Sequence, residues 1–368
     1  MGKREGAVEN LVTNFWEGRK VLITGHTGFK GGWLALWLQA LGADVSGYAL
    51  KPATNPSLFD IAQVGARMTS VVGDIRDLPQ LESMLATHRP EIILHLAAQP
   101  LVRRSYVDPI ETYSTNVMGT VNLLESVRRT GVARVVINVT SDKCYENRGW
   151  LWGYRENEPM GGHDPYSSSK ACSELITAAF RSSFFESPDQ TPQTVVIASA
   201  RAGNVIGGGD WSADRLVPDI LQAFSEARPV AIRNPHATRP WQHVLEPVRG
   251  YLLLAQRMWS EGAAFSQGWN FGPNDDDVRP VSWIVDRLKT LWGQGANSVL
   301  HVGTHPHEAS YLKLDCSMAK AKLGWTPKLH LNDALNLTVA WYKAFLARDD
   351  MRTFTLEQIR AYEAEAGT

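Results

Sequence analysis

The 368-residue sequence predicts an α/β fold in which a doubly wound parallel sheet is joined to a smaller C-terminal substrate-binding lobe. Three observations lead there. Short runs rich in Val and Ile alternate with helical stretches through the first 200 residues. A glycine-rich turn stands where the first strand gives way to the first helix. Beyond residue 200 the alternation yields to loops rich in Gly, Pro, Trp and Arg.

Residues 1–15 are a polar leader, and Lys20-Val21-Leu22-Ile23-Thr24 reads as a buried strand followed by an apolar helix over 29–41. Further strands are expected at 44–50, 68–72, 92–96, 134–140 and 194–200, with helices at 78–87, 110–129 and 166–184. Alternation of this kind implies right-handed crossovers and therefore parallel pairing, as in Rossmann-type sheets. Residues 16–200 are assigned to this first domain. Residues 201–348, with helices at 216–228 and 244–258, form mainly the second lobe, from which the chain is free to return to the first domain. The charged stretch 349–368 reads as a helix without an assigned role.

Composition narrows the function classes. Thirty-seven basic residues against 38 acidic ones leave a formal charge of -1, so no global field favours nucleic acid or an anionic membrane. No run of about 18 apolar residues occurs, and the first residues lack the apolar core of a signal peptide. Cys144, Cys172 and Cys316 are an odd, widely spaced set, as expected of free thiols in a reducing cytoplasm. His305-Pro306-His307 has no nearby Cys or paired carboxylates, and no metal is assigned. The 13 tryptophans fill cores in most proteins, but they also stack on sugar rings and bases.

The chemistry is concentrated in a few motifs. Thr24-Gly25-His26-Thr27-Gly28-Phe29-Lys30-Gly31-Gly32 places glycines where a backbone approaches a pyrophosphate and a helix N-terminus supplies free amides, so dinucleotide binding is expected of Gly25, Thr27, Gly28, Phe29 and Gly31. Lys30 is read as adding charge near a phosphate, against the plainer reading of a surface lysine. Asp74-Ile75, after the third strand, is placed to meet an adenine, and Leu96-Ala97-Ala98-Gln99, after the fourth, to border the middle of the cofactor. The carboxylate that normally meets the adenosine ribose is missing: the turn reads Tyr48-Ala49-Leu50-Lys51, which leaves NAD against NADP open.

Thr140-Ser141-Asp142-Lys143 lies at the carboxyl end of the fifth strand, the edge where such sheets bind ligands. Tyr166 and Lys170 fall one helical turn apart on one face. An ammonium beside a phenol stabilises the phenolate and lowers the tyrosine pKa toward neutrality, so that Tyr166 takes a hydroxyl proton as hydride leaves the same carbon. In the second lobe Arg201, Asn204, Arg215, Arg233, Arg239, Trp241 and His243 offer cations, amides and aromatic faces suited to a nucleoside diphosphate, the alternative being an ordinary salt-bridged surface.

Taken together, the glycine turn, Ser141-Asp142-Lys143 and Tyr166-x-x-x-Lys170 resemble the extended short-chain dehydrogenase/reductases that act on nucleotide sugars. The runs Gly25 to Gly31, Thr140 to Tyr145, Arg201 to Trp211, Arg239 to Val244 and Tyr311 to Cys316 are similar to the 4,6-dehydratases among them, over about residues 15–342. The resemblance implies NAD as cofactor, a CDP-glucose substrate, and a redox-neutral dehydration that serves deoxysugar synthesis for bacterial surface polysaccharides such as O-antigen. It implies Asp142 as the acid toward the 6-hydroxyl, Lys143 as the base at C5, Ser141 as a hydrogen-bond partner of the 4-oxygen, and Tyr311 on the substrate. It further implies a homodimer through helices 110–129 and 166–184. A 4-epimerase shares the first oxidation, but an acid and a base at C5 and C6 would be superfluous to it. A silent nucleotide sensor would have no need to keep the set.

Overall fold

Seven parallel strands form the central sheet in the order β7-β6-β5-β4-β1-β2-β3: β1 Lys20–Thr24, β2 Asp44–Ala49, β3 Thr69–Val72, β4 Ile92–His95, β5 Val135–Val139, β6 Val196–Arg201 and β7 Gly268–Asn270. The computed structural model describes residues 13–186, 195–232, 234–300 and 312–366. β1, β4, β5 and β6 are buried along nearly their whole length, because helices cover both faces, which is why they read as continuous apolar runs rather than alternating ones. The order reverses between β1 and β4, and a doubly wound sheet opens a crevice at the carboxyl ends of its strands there.

The helices follow the sequence with two instructive differences. α1 Phe29–Ala40 and α2 Leu78–His88 stand as expected. The helix expected over 110–129 is a stack of α3 Pro109–Tyr113, a π-helical turn Ser114–Met118 and α4 Gly119–Thr130. The turn points the buried Asn116 inward, where its amide bonds the Gln99 carbonyl at 3.1 Å and Ser169 Oγ at 2.8 Å. α5 Pro165–Phe180 likewise continues into a π turn, Arg181–Phe185.

In the second lobe, α6 Leu216–Ser225 and α7 Leu245–Glu261 are accompanied by short strand pairs, among them Val205–Ile206, ahead of α6, alongside Gln242–His243. The three-residue β7 then carries the chain back onto the main sheet beside β6, an element too short to leave a periodic signal. α8 Leu331–Leu346 and α9 Met351–Ala366 close the fold. The charged end of the chain is a brace: Trp37 of α1 donates to Glu363 at 2.6 Å and packs edge-on against Tyr362, whose hydroxyl donates to the buried Glu246 of α7 at 2.8 Å.

Candidate active site

A cavity of about 930 Å³ runs along the carboxyl ends of the strands, from the turn after β1 to the start of α6, large enough for two sizeable ligands side by side. Its first wall is mostly backbone. Gly28 caps α1 with no side chain bonded across the helix end, leaving the first-turn amides open toward the cavity. A Cβ at Gly31 would overlap the Gly25 carbonyl, so only glycine lets turn and helix close this tightly. Thr24 Oγ1 accepts from the amides of Leu96 and Ala97, both at 3.2 Å, and pins the loop after β4 to the turn after β1. These features fit a dinucleotide pyrophosphate.

All the residues expected to hold a cofactor line this cavity: Gly25, Thr27, Gly28, Phe29, Lys30, Gly31, Asp74, Ile75, Leu96, Ala97, Ala98, Gln99, Thr140, Tyr166 and Lys170. Several have local duties as well. Thr27 Oγ1 donates to the Leu50 carbonyl at 2.9 Å, and Gln99 spends its amide on Leu101 and Thr112. Arg76 forks onto Asp74, and that hydrogen bonding holds the Asp74 carboxyl below its ordinary range against its partial burial. Lys51 is exposed at the cavity rim beyond β2.

The catalytic candidates meet at the centre. Ser141 caps a short 3-10 turn, Asp142–Cys144: its Oγ accepts from the Lys143 amide at 3.2 Å and donates to Asp142 Oδ1 at 2.9 Å. Lys143 Nζ stands 3.3 Å from the same oxygen. Asp142 is fully buried, and a Cβ at Gly203 would overlap its carboxylate, so the acid sits in a slot that only glycine leaves open. Tyr166 is delivered by a strong helix start: Asp164 caps α5 by accepting from the Ser167 amide at 2.9 Å, and Pro165 occupies the first turn. Asp-Pro ahead of the tyrosine was the available sequence signal for that cap.

One expectation needs correcting. Burial raises the Tyr166 pKa above the ordinary phenol value, and Lys143, a hydrogen bond with Ser141 and Arg215 oppose it. Lys170 is itself buried, its pKa pushed down to about 8, with Glu174 and Cys144 acting in the other direction. Its Nζ donates to the Val139 carbonyl at 3.4 Å.

Lys30 lines the cavity and is not a fully exposed surface lysine. Half-buried, it reaches inward to donate to the Tyr251 hydroxyl at 3.3 Å, with its pKa pushed down to about 7 by burial and then by Arg215 and Lys170, against Asp142.

The second wall is made of side chains. Asn204, Arg215, Arg239 and Trp241 line the cavity, and Arg215 pairs with the buried Asp210 at 2.7 Å. Asn204 Nδ2, Trp241 Nε1 and Asp142 Oδ2 are buried without hydrogen-bond partners among the described residues, which suits a polar ligand. Two sequence candidates belong elsewhere. His243 is buried edge-on to Trp33, off the cavity, its pKa pushed down to about 3 by burial. Arg201 is consumed in a buried pair with Glu174 at 2.8 Å, a carboxylate that also accepts from Thr140 and Ser199. Arg233, Tyr311 and the His305-Pro306-His307 run lie outside the described residues. Sequence reasoning missed Arg103, which lines the mouth and pairs with Asp214 at 2.9 Å; a lone arginine in a short helix gave no signal.

Residues 22–338 match the family model described as GDP-mannose 4,6 dehydratase. The chain belongs to that family. Among its relatives, the CDP-glucose 4,6-dehydratase of Salmonella typhimurium (strain LT2) is 57% identical over 95% of this chain and 97% of its own length. A dTDP-glucose 4,6-dehydratase of Xanthomonas campestris pv. campestris (strain B100) is 26% identical over 87% of this chain and 92% of its own. Among solved structures, a UDP-glucose 4-epimerase from Thermotoga maritima aligns with a TM-score of 0.76 at 25% identity, covering 89% of this chain and 99% of that one. The dTDP-glucose 4,6-dehydratase of Streptomyces venezuelae, solved with NAD and TYD bound, also gives 0.76, at 23% identity, covering 89% of this chain and 98% of that one, and shares the fold. Among the described residues of this family member no helix is long and apolar enough to cross a membrane.

Proposed function

We propose that the protein is an NAD-dependent lyase that converts CDP-glucose to CDP-4-keto-6-deoxyglucose by redox-neutral dehydration. The observation that carries the reading is the adjacency of Asp142 and Lys143 beside Tyr166: an acid and an amine side by side serve an elimination and have no use in epimerisation. The 57% identity to a CDP-glucose 4,6-dehydratase supports the cytidine base and the hexose.

A bound nicotinamide dinucleotide supplies the acceptor for hydride from C4 and its return to C6. The residues of this chain do the rest. Tyr166 takes the proton of the 4-hydroxyl, and the resulting ketone acidifies C5. Lys143, neutral in this role, removes the C5 proton while Asp142 protonates the departing 6-hydroxyl. Lys170 and the amides of the first turn of α1 hold the cofactor, and Asn204, Arg215, Arg239 and Trp241 hold the nucleotide sugar. Because the turn Tyr48 to Lys51 carries no carboxylate for the adenosine ribose, NAD and NADP belong in the same assay.

Mass spectrometry after incubation with CDP-glucose tests the reading. A product lighter by one water supports it, and an isomer of unchanged mass would turn it to a 4-epimerase. Lys143→Ala should end loss of deuterium from C5 while leaving some oxidation at C4; full exchange in that variant would remove Lys143 from the base role.

We further propose a homodimer in the cytoplasm. Ile110 and Met118 on the α3–α4 stack, and Leu175 and Phe184 on α5 and its π turn, are exposed apolar residues on neighbouring helices, a face suited to a second copy. A monomer in sedimentation at micromolar concentration would contradict it. All three cysteines are free, which fits a reducing compartment.

A further inference from the structure

The turn that carries Ser141, Asp142 and Lys143 hangs between two buried residues, Thr140 and Tyr145. Thr140 Oγ1 donates to Glu174 Oε1 at 2.5 Å, and the Tyr145 hydroxyl accepts from Arg201 Nη1 at 2.6 Å. Arg201 in turn forks onto Glu174, Nε donating to Oε1 at 2.9 Å and Nη2 to Oε2 at 2.8 Å. The result is a closed ring. It runs from Thr140 through Glu174 and Arg201 to Tyr145, and back along the backbone through Lys143 and Asp142.

The ring has little freedom. Ser199 Oγ donates to Glu174 Oε2 at 2.5 Å, so each oxygen of that carboxylate accepts from two donors and its acceptor sites are filled. Arg201 Nη1 also donates to the Glu156 carbonyl at 2.9 Å, and the Tyr145 hydroxyl donates to Asn270 Oδ1 at 2.7 Å. A Cβ at Gly268 of β7 would overlap the guanidinium, and one at Gly203 would overlap the Asp142 carboxylate, so both charged groups occupy spaces that only glycine leaves open. Glu174 lies on α5, one turn beyond Lys170 and two beyond Tyr166. The ring therefore joins the turn that bears acid and base to the helix that bears the tyrosine.

Stability alone is a poor reason for such a ring. Well-packed apolar side chains of similar volume often match or surpass a buried ion pair, and what a bidentate pair adds is fixed geometry. We propose that Glu174, with Arg201, is a positioning residue for the elimination, holding Asp142 and Lys143 in register with Tyr166. The proposal rests on the dehydratase reading. Oxidation at C4 needs Tyr166, which the Asp164 cap and Pro165 set at the start of α5 without help from the ring. Elimination needs Asp142 and Lys143, whose turn the ring holds at both ends. Loosening either end therefore slows elimination more than oxidation, and a displacement of about 1 Å suffices for a loss of about 100-fold.

The test uses the full-length holoenzyme at saturating cofactor with CDP-glucose, following nicotinamide absorbance and dehydrated product. Tyr145→Phe removes one hydroxyl at one end of the turn and Thr140→Val one at the other, while Thr140→Ser keeps it. Tyr145→Phe and Thr140→Val should each lower kcat by about 10- to 100-fold with KM unchanged. Each should also hold a larger share of reduced nicotinamide during turnover than the parent, because the sugar waits between the two steps. Thr140→Ser should stay near the parent kcat. Glu174→Gln should show the same signature more strongly; where it fails to fold, the two hydroxyl variants decide. Parent kcat in either of those variants overturns the proposal, as does slowed turnover without extra reduced nicotinamide, a rise in KM that accounts for the loss, or a Thr140→Ser variant as slow as Thr140→Val. In each of these cases an active parent leaves the dehydratase reading standing. A parent that makes no dehydrated sugar overturns both.

Discussion

The two walls of the cavity are built from different materials. The wall after β1 and β4 is backbone: a glycine turn, the open amides of α1 and a loop pinned by Thr24. The wall formed by the second lobe is side chain: Asn204, Arg215, Arg239 and Trp241, of which Asn204 and Trp241 carry buried polar atoms with no hydrogen-bond partner among the described residues. A backbone site is specified by the absence of side chains at fixed spacings, so it can be read from glycines. A side-chain site depends on which charges are already spent on one another, and sequence does not record that. The residues proposed for catalysis, Tyr166 among them, line the same cavity as both walls.

Tyr166→Phe should give the largest effect, at least about 100-fold in turnover of CDP-glucose, the usual scale of a lost acid-base group. Near-normal turnover would take the tyrosine out of the chemistry. Gly31→Ala tests the backbone wall. Its Cβ would meet the Gly25 carbonyl, so cofactor affinity measured by calorimetry should drop by about tenfold or more while the fold, followed by circular dichroism, persists. Unchanged affinity would mean that the turn does not hold the pyrophosphate.

Arg201 separates a ligand cation from a structural one. Arg201→Met leaves the buried Glu174 carboxylate unpaired, and the protein should lose about 3–5 kcal/mol of stability in denaturant unfolding. The KM for CDP-glucose in the remaining folded enzyme should be unchanged; a large rise in KM with stability preserved would return Arg201 to the substrate wall.

His243→Gln should give the smallest effect, visible only through pH. Burial holds the His243 pKa down to about 3, against an ordinary value of 6.5. Below pH 6.5 the unfolded chain takes up a proton that the folded one refuses, so this residue's contribution lowers stability as pH falls from 6.5 toward about 3. The glutamine variant should show a shallower loss of stability over that window, with KM unchanged. An altered KM would put His243 back on the cavity.

Most of the first wall was legible. Glycine spacing, the strand ends and Tyr166-x-x-x-Lys170 lie within local stretches where period and position carry the information, and they land on the cavity. What was not legible has physical causes. The π turns at Ser114–Met118 and Arg181–Phe185 leave the apolar period of their helices nearly intact, so one long helix and three stacked pieces read alike. β7 is three residues long and owes its existence to pairing with β6 rather than to its own pattern. The spacing of Tyr166 and Lys170 was legible, but the burial that raises the Tyr166 pKa was not, because it depends on what packs around the phenol. Arg201 and His243 looked like ligand groups because residue type was the only guide, and their partners, Glu174 and Trp33, are 27 and 210 positions away.

The central claim is that hydride leaves C4 and returns to C6 of one sugar within one active site. CDP-glucose carrying deuterium at C4 tests it most directly. Product lighter by one water, with the deuterium found at C6 and no net reduced nicotinamide in solution, is the predicted result. Deuterium retained at C4 of an isomer, or lost to free cofactor, would contradict it.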